Sequence, residues 1–371
     1  MKIQNSLPYI SNMNFKGHEA KKLDTILVHK RSDYGSEAII RQLESIANRH
    51  KISIKPIRYY TSNIWIQDLM LFAPNKKVIA ANYRYASGYA DEYGLEPDEL
   101  TNNKNTMRTK HIDGGNIFFV KDRDGKDVIL TAKNTDGTCD LAGYENVLEP
   151  DKLIQLPHAD YHADLFITPI GDNKILVAND KLMQDGLERI LEACVLYTAE
   201  NPEDESTQEI EKVSKKLLEI IDMFDESIQE YKFKGDDEKA AEILRENGFE
   251  VIPVPSRVHY LGGWFFQDDK EKLTHVLNYS NAITFKDRNN ETVLIAGKSG
   301  LEKKIGLTKD IAEKIGIDFE SLFKEAVSPH IKAENIHFIE GDPKKPISEI
   351  LEENKGGLHC MCIEIPDYFK I

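Results

Sequence analysis

Apolar residues in this chain come mostly in short bursts closed by Gly, Asp, Asn or Lys. The bursts at 25–29, 77–81, 116–120, 127–131, 165–168, 174–178, 249–253, 282–285, 292–296 and 336–339 are rich in Val, Ile and Phe. Runs of that length and β-branched content predict strands. Three of them turn back on a neighbour. The run 116–120 returns through 121–126, 165–168 through Gly171-Asp172-Asn173, and 282–285 through 286–291, so each predicts a hairpin.

Between the bursts the period changes to that of a helix. Ile39, Ile40, Leu43, Ile46 and Ala47 predict one over 36–50, and Ile210, Val213, Leu217, Ile220, Ile221, Phe224 and Ile228 one over 209–231. Shorter helices are expected over 237–247, stopped by Gly248, and over 348–354, stopped by Gly356-Gly357. Hairpin, helix and strand recur in that order without a literal sequence repeat. A ββαβ unit used several times would give this order, so the expected class is α/β, as a pseudo-symmetric propeller of small units.

Composition narrows the function. A chain of 371 residues is long enough for one large domain or two ordinary ones. An apolar content of 40% is too high for a disordered chain. The formal charge of 48 − 63 = −15 argues against a nucleic-acid or anionic-membrane surface and is compatible with cationic ligands. Four cysteines are too few for a disulfide framework, so reduced thiols and an intracellular setting are expected. No apolar h-region follows Met1, and no run approaches the roughly 20 apolar residues of a spanning helix. A cytoplasmic protein is the resulting expectation. The one shift in composition is a charged helical stretch over 187–247, with the acidic loop Asn201-Pro202-Glu203-Asp204-Glu205 inside it. A solvated insertion is the plain reading, and a lid or docking element the sharper one.

Several segments carry residues fit for chemistry. Cys360 follows Gly356-Gly357-Leu358-His359, where a glycine turn lets backbone approach a ligand. Cys362, two residues on, would face the other way on a strand. His162 and Asp164 lead into a strand and would share a face if extended, a His placed to move protons and a carboxylate placed to bind a cation. Asp113-Gly114-Gly115-Asn116 opens another strand, and Trp65-Ile66-Gln67-Asp68 a third apolar stretch. Taken singly, each carboxylate could cap its own turn and each thiol could be core. Gly297-Lys298-Ser299 lacks the first glycine of a P-loop. His158, Asp160, His162 and Asp164 lack the spacing of a zinc site, so no metal is expected.

In their order along the chain, Trp65-Ile66-Gln67-Asp68, Asp113-Gly114-Gly115-Asn116, His162-Ala163-Asp164 and Gly356-Gly357-Leu358-His359-Cys360 resemble the guanidino-group modifying, or pentein, superfamily. Asn278-Tyr279-Ser280-Asn281 before its strand looks like the penultimate repeat of agmatine deiminases. The resemblance runs from about Thr25 to Pro366. It implies one domain, 1–371, folded as a five-bladed α/β propeller of ββαβ units, with 187–247 inserted in it. It also implies roles: Cys360 as nucleophile, His162 as acid and base, Asp68 and Asp164 as carboxylates gripping the guanidinium, and Asp113 orienting His162. Trp65, Asn116 and His359 join them as substrate-binding residues. The implied reaction is cysteine-dependent hydrolysis of a guanidino group to a ureido group and ammonia, without a cofactor. Agmatine is the first substrate expected, and protein arginine the second, because W-I-Q-D matches peptidyl-arginine deiminases. An amidinotransferase comes third, and a non-catalytic binding module on the same fold fourth. The partners expected are a small cationic guanidino substrate, no nucleic acid and no membrane, with a homodimer as the assembly that the resemblance suggests.

Overall fold

The computed structural model describes residues 21–30, 36–57, 66–67, 70–72, 78–80, 97–98, 114–132, 150–157, 162–230, 236–256, 278–349 and 357–367. The chain starts with β1 (Lys21–His29), α1 (Ser36–His50), β2 (Ser53–Ile57), β3 (Met70–Phe72), β4 (Val78–Ala80) and β5 (Pro97–Asp98). It continues through β6 (Ile117–Lys121), β7 (Asp127–Ala132), β8 (Lys152–Leu156), β9 (Ile167–Gly171) and β10 (Lys174–Ala178). Three helices follow, α2 (Asp180–Glu200), α3 (Thr207–Glu230) and α4 (Asp236–Glu246), and then β11 (Glu250–Val254), β12 (Ile283–Lys286) and β13 (Thr292–Gly297). The last part holds α5 (Leu301–Ile305), α6 (Lys309–Ile315), α7 (Phe319–Val327), β14 (Ile336–Ile339), the short pair β15 (Gly341–Asp342) and β16 (Lys345–Pro346), and β17 (Cys362–Pro366).

One pairing scheme recurs. In β3-β4-β5, β6-β7-β8, β9-β10-β11 and β12-β13-β14 the first two strands are antiparallel and the last two parallel. The chain's two ends make a fifth copy: β17 pairs antiparallel with β1, and β1 parallel with β2. A parallel pair needs a crossover, and helices supply it wherever the intervening chain is described. First strands of different units lie side by side, β17 by β3, β6 by β9 and β9 by β12. The last contact is sealed by hydroxyls of the sheet. Thr168 donates to the Ser280 carbonyl, Thr284 Oγ1 to Pro169 O at 2.8 Å and Thr292 Oγ1 to Ile170 O at 2.9 Å.

The helices explain themselves locally. In α1 the stripe Ile39, Ile40, Leu43, Ile46 and Ala47 is buried against β1, β12, β13 and β17, with Glu37 in the first turn and Arg49 and His50 in the last, as the helix dipole favours. Each fully buried Ile or Leu contributes about 1.5–3 kcal/mol. The sequence pattern placed a charged helical stretch from 187 on but missed the start and the buried face of α2, whose Met183, Leu187, Ile190 and Cys194 are buried at helical spacing behind the N-cap Asn179. It also missed α5, α6 and α7, the last closed by an Asp318–Ser321 capping box. All four sit in a stretch where charge dilutes the apolar pattern. Their apolar faces, with Ile210, Val213, Leu217, Ile220 and Phe224 of α3, form the largest core. The acidic stretch is thus solvated on one face only, and its helices lie between β10 and β11, where the crossover of the third unit belongs. Most of the helix expected over 348–354 lies outside the described residues. No helix among the described residues is long and apolar enough to cross a membrane.

Candidate functional site

Three short 3-10 turns stand just before the first strands of their units: Gly114–Asn116 before β6, Ala163–Leu165 before β9 and His359–Met361 before β17. Their middle residues are Gly115, Asp164 and Cys360. The second turn departs from the extended segment expected for His162 and Asp164. His162 is extended, at φ −134° and ψ 150°, but Asp164 lies inside the turn. Local bonds wind it, with Leu165 N–H donating to His162 O and Phe166 N–H to Ala163 O. The side chain of Asn116 anchors it, Oδ1 accepting the Ala163 N–H at 2.9 Å. Strand β9 therefore begins at Ile167 rather than at 165.

The third turn is anchored in the same way. Asn281 Oδ1 accepts the N–H of His359 at 2.7 Å and that of Cys360 at 3.3 Å. Its amide nitrogen donates to the Asp164 carbonyl at 3.2 Å and lies 3.2 Å from Cys360 Sγ. Gly357 is required here, because a Cβ on it would overlap the Asn281 side chain. The Gln67 N–H donates to the Cys360 carbonyl at 3.3 Å and ties the turn to the segment before β3.

These anchors put Cys360 and Asp164 face to face. The thiol donates to Asp164 Oδ2 at 3.3 Å, and the same oxygen lies 3.1 Å from His359 Nδ1. Asp164 is 1% exposed and Cys360 5%. The other carboxylate oxygen, Asp164 Oδ1, is buried with no hydrogen-bond partner among the described residues. Desolvating a carboxylate is costly without compensation, so that oxygen marks where a donor would be gained. Gly115 packs tightly against the same site: a Cβ there would lie 2.6 Å from His162 Nδ1 and 2.9 Å from Asp164 Oδ1, too close for either to stay in place. The bare glycine lets His162 and Asp164 approach its backbone side by side.

His359 is packed rather than open. Its ring stacks on Phe118 at 6.1 Å and 9°, lies near Gln67, and places Nε2 3.9 Å from Glu364 Oε1. Cys362 starts β17 and points into the core beneath α1. Burial, with Glu364 adding to it, pushes its thiol far above the ordinary range, so it stays neutral. The two thiols diverge because one is in the turn and the other in the strand.

The structure therefore gathers Cys360, Asp164, His162, His359 and Asn116 at one end of the strand units. Asp68, Asp113 and Trp65, like His158 and Asp160, lie outside the described residues. Asn281, Gln67 and Glu364 complete the cluster and were not singled out as site residues by the sequence. A signal for Asn281 exists: it precedes its strand as Asn116 precedes β6. A cleft of about 600 Å³ lined by Lys121, Arg123, Asp172, Gly248 and Glu250 lies at the opposite ends of the hairpins, away from these groups. Among the described residues no three His, Cys, Asp or Glu side chains group as metal ligands.

No protein-family model matches this sequence, and no curated protein matches it. Solved structures do. An agmatine deiminase of C. jejuni is 15% identical with a TM-score of 0.49, covering 94% of each chain. A DDAH from Pseudomonas aeruginosa complexed with citrulline is 9% identical with a TM-score of 0.43, covering 93% of this chain and all of its own. A cyanobacterial arginine dihydrolase is 11% identical with a TM-score of 0.43 over 93% of this chain and 39% of its own. Each likeness is distant, so a reading of function has to stand on the site's own residues.

Proposed function

We propose that this protein is a cysteine-dependent hydrolase of guanidino compounds, with agmatine as its first substrate. The observation that carries the reading is a buried carboxylate, Asp164, which engages the Cys360 thiol with one oxygen and leaves the other without a partner among the described residues. A planar cation whose N–H groups meet that carboxylate would have its central carbon beside Sγ. The motif resemblance supports the same set, adding Asp68 as a second gripping carboxylate and Asp113 as the partner of His162.

The chemistry follows from those roles. The Cys360 thiolate attacks the central guanidinium carbon and gives a tetrahedral adduct. His162, protonated, delivers its proton to the departing amino group, which leaves as ammonia and breaks the C–N bond. The remaining S-alkylthiouronium is attacked by a water whose proton passes to His162. Collapse of the second adduct expels the thiolate and leaves a ureido group. Cationic substrate and protonated His162 both lower the cost of the thiolate. The repeated pairing of five strand units supports a five-bladed propeller with this site at its axis, in a single domain of residues 1–371 with 187–247 elaborating the third unit.

The test is a substrate panel of agmatine, free arginine and an arginine-containing protein, scored for ureido product and ammonia. Turnover of agmatine that vanishes in Cys360→Ala is the expected result. No product from any of the three, with Cys360→Ala indistinguishable from the unaltered protein, would sink the proposal. Added glycine would reveal an amidinotransferase by diverting the product to a new guanidino compound.

A further inference from the structure

His359 has no step in the chemistry above, yet it is the most heavily partnered ring near Cys360. Nδ1 faces Asp164 Oδ2 at 3.1 Å, and Nε2 faces Glu364 Oε1 at 3.9 Å, with the two carboxylate side chains 1% and 8% exposed. The Gln67 amide nitrogen approaches both ring nitrogens, at 2.7 Å from Nδ1 and 3.1 Å from Nε2, while Gln67 Oε1 is buried with no partner among the described residues. That arrangement conflicts with itself. Nδ1 must carry a proton to donate to Asp164, and must lack one to accept from Gln67. Turning the Gln67 amide by half a turn removes the conflict, because the amide's O and N are exchanged by that rotation. Its buried oxygen then gains a donor in the ring.

With that orientation, the side chains found against the ring nitrogens among the described residues are acceptors: Asp164 from the turn before β9, Glu364 from β17 and Gln67 from the segment before β3. Phe118 of β6 covers the ring's face, and Asn281 takes the backbone N–H rather than the ring. Of the other titratable groups near it among the described residues, the Cys360 thiol donates to Asp164 and Cys362 is held neutral by burial. Two carboxylates and an amide oxygen favour the charged form of an imidazole, and they act against the burial of the ring, which favours the neutral form.

We infer that His359 is held as an imidazolium between Asp164 and Glu364, and that it is the positioning residue of the site. It fixes Asp164 Oδ2, so that Oδ1 stays turned to the guanidinium and the thiol stays beside it. Glu364 acts on the site through His359. The charge assignment is independent of the proposed hydrolysis, and its catalytic consequence rests on that reading.

The experiment is a pH titration of the protein labelled with 13C-histidine, His359 being assigned by the resonance missing in His359→Gln. In the unaltered protein its midpoint is expected about one unit or more above the ordinary value of roughly 6.5. Glu364→Gln is expected to lower that midpoint by about one unit. The alkaline limb of kcat/KM for agmatine should move with it. A midpoint at or below the ordinary value in the unaltered protein overturns the inference even if no variant folds. So does a midpoint, in a folded Glu364→Gln, equal to that of the unaltered protein. A raised His359 midpoint in a protein that hydrolyses no guanidino compound overturns the function and leaves the charge assignment standing. Hydrolysis with an ordinary midpoint does the reverse.

Discussion

The turns Ala163–Leu165 and His359–Met361 are the same device used twice. Each ends where its unit's first strand begins. Each has the N–H of its first residue, Ala163 or His359, accepted by an Asn that heads the preceding unit, Asn116 or Asn281. Each aims its middle residue at the same point. The first residues differ, Ala163 against His359, and so do the middle ones, a carboxylate against a thiol, while the turn Gly114–Asn116 carries glycine at its middle. Backbone and anchoring thus define a position, and the side chain at each sets its work: in the proposed reaction Asp164 would grip and Cys360 attack, while Gly115 lets His162 and Asp164 come close. The anchors differ in strength. Among the described residues Asn116 takes one N–H of its turn, whereas Asn281 takes two and also reaches Sγ and the Asp164 carbonyl.

Exchanging the middle residues separates gripping from attack most strongly. Cys360→Ala should lower turnover of agmatine by about a thousandfold or more, the scale on which removed nucleophiles act, while substrate still binds. Asp164→Asn should lose turnover to a similar extent and also weaken binding by about tenfold to a hundredfold, since a charge-assisted bond is lost. Ammonia release and calorimetric binding distinguish the two. Equal binding by both variants would show that Asp164 grips nothing, and the comparison would collapse.

How much of this was legible in the sequence depended on how local the cause was. The hairpins around 121–126, 171–173 and 286–291 and the helix 36–50 were legible because turn residues and an unbroken apolar stripe specify them without help from elsewhere. Helices α2, α5, α6 and α7 were not, because what buries Leu187, Ile305 or Phe323 is a core assembled from distant segments. Cys360, His162 and Asp164 could be read together only as ordered motifs. Their meeting depends on Asn281 and Asn116, whose partners are 78 and 47 residues away. The turn at Asp164 shows the limit: alternation suggested an extended segment, and a side chain from another unit bent it.

Removing the anchors sharpens the difference between the turns at the level of stability. Asn281→Ala leaves the Cys360 N–H, and the principal bond of the His359 N–H, without its acceptor. Each buried donor left unmade costs about 1–3 kcal/mol. Asn116→Ala strands one such donor among the described residues, the Ala163 N–H, so on that count its loss should be about half as large. Denaturant unfolding of both variants checks the ratio. Activity should follow, Asn281→Ala losing more because the thiol itself loses a neighbour at 3.2 Å. A larger loss for Asn116→Ala, in stability and activity alike, would mean that the carboxylate's turn is the more tightly held.

The smallest effect expected is at Cys362, and it tests where the thiol's turn ends. Two residues past Cys360 the chain has become β17, Val28 of β1 is the cross-strand partner of Cys362, and the thiol lies in the core rather than in the gap. Cys362→Ala should therefore cost stability through lost packing, about 1 kcal/mol, and leave turnover within about twofold of the unaltered protein, the scale expected of a change outside the reacting groups. Because burial keeps its proton on, Cys362 should also ignore an alkylating haloacetamidine at neutral pH, which should mark Cys360. Peptide mapping of the labelled protein decides this directly. Label on Cys362, or activity lost with it, would place the reactive position on the strand instead of the turn, and the equivalence of Asp164 and Cys360 would be wrong.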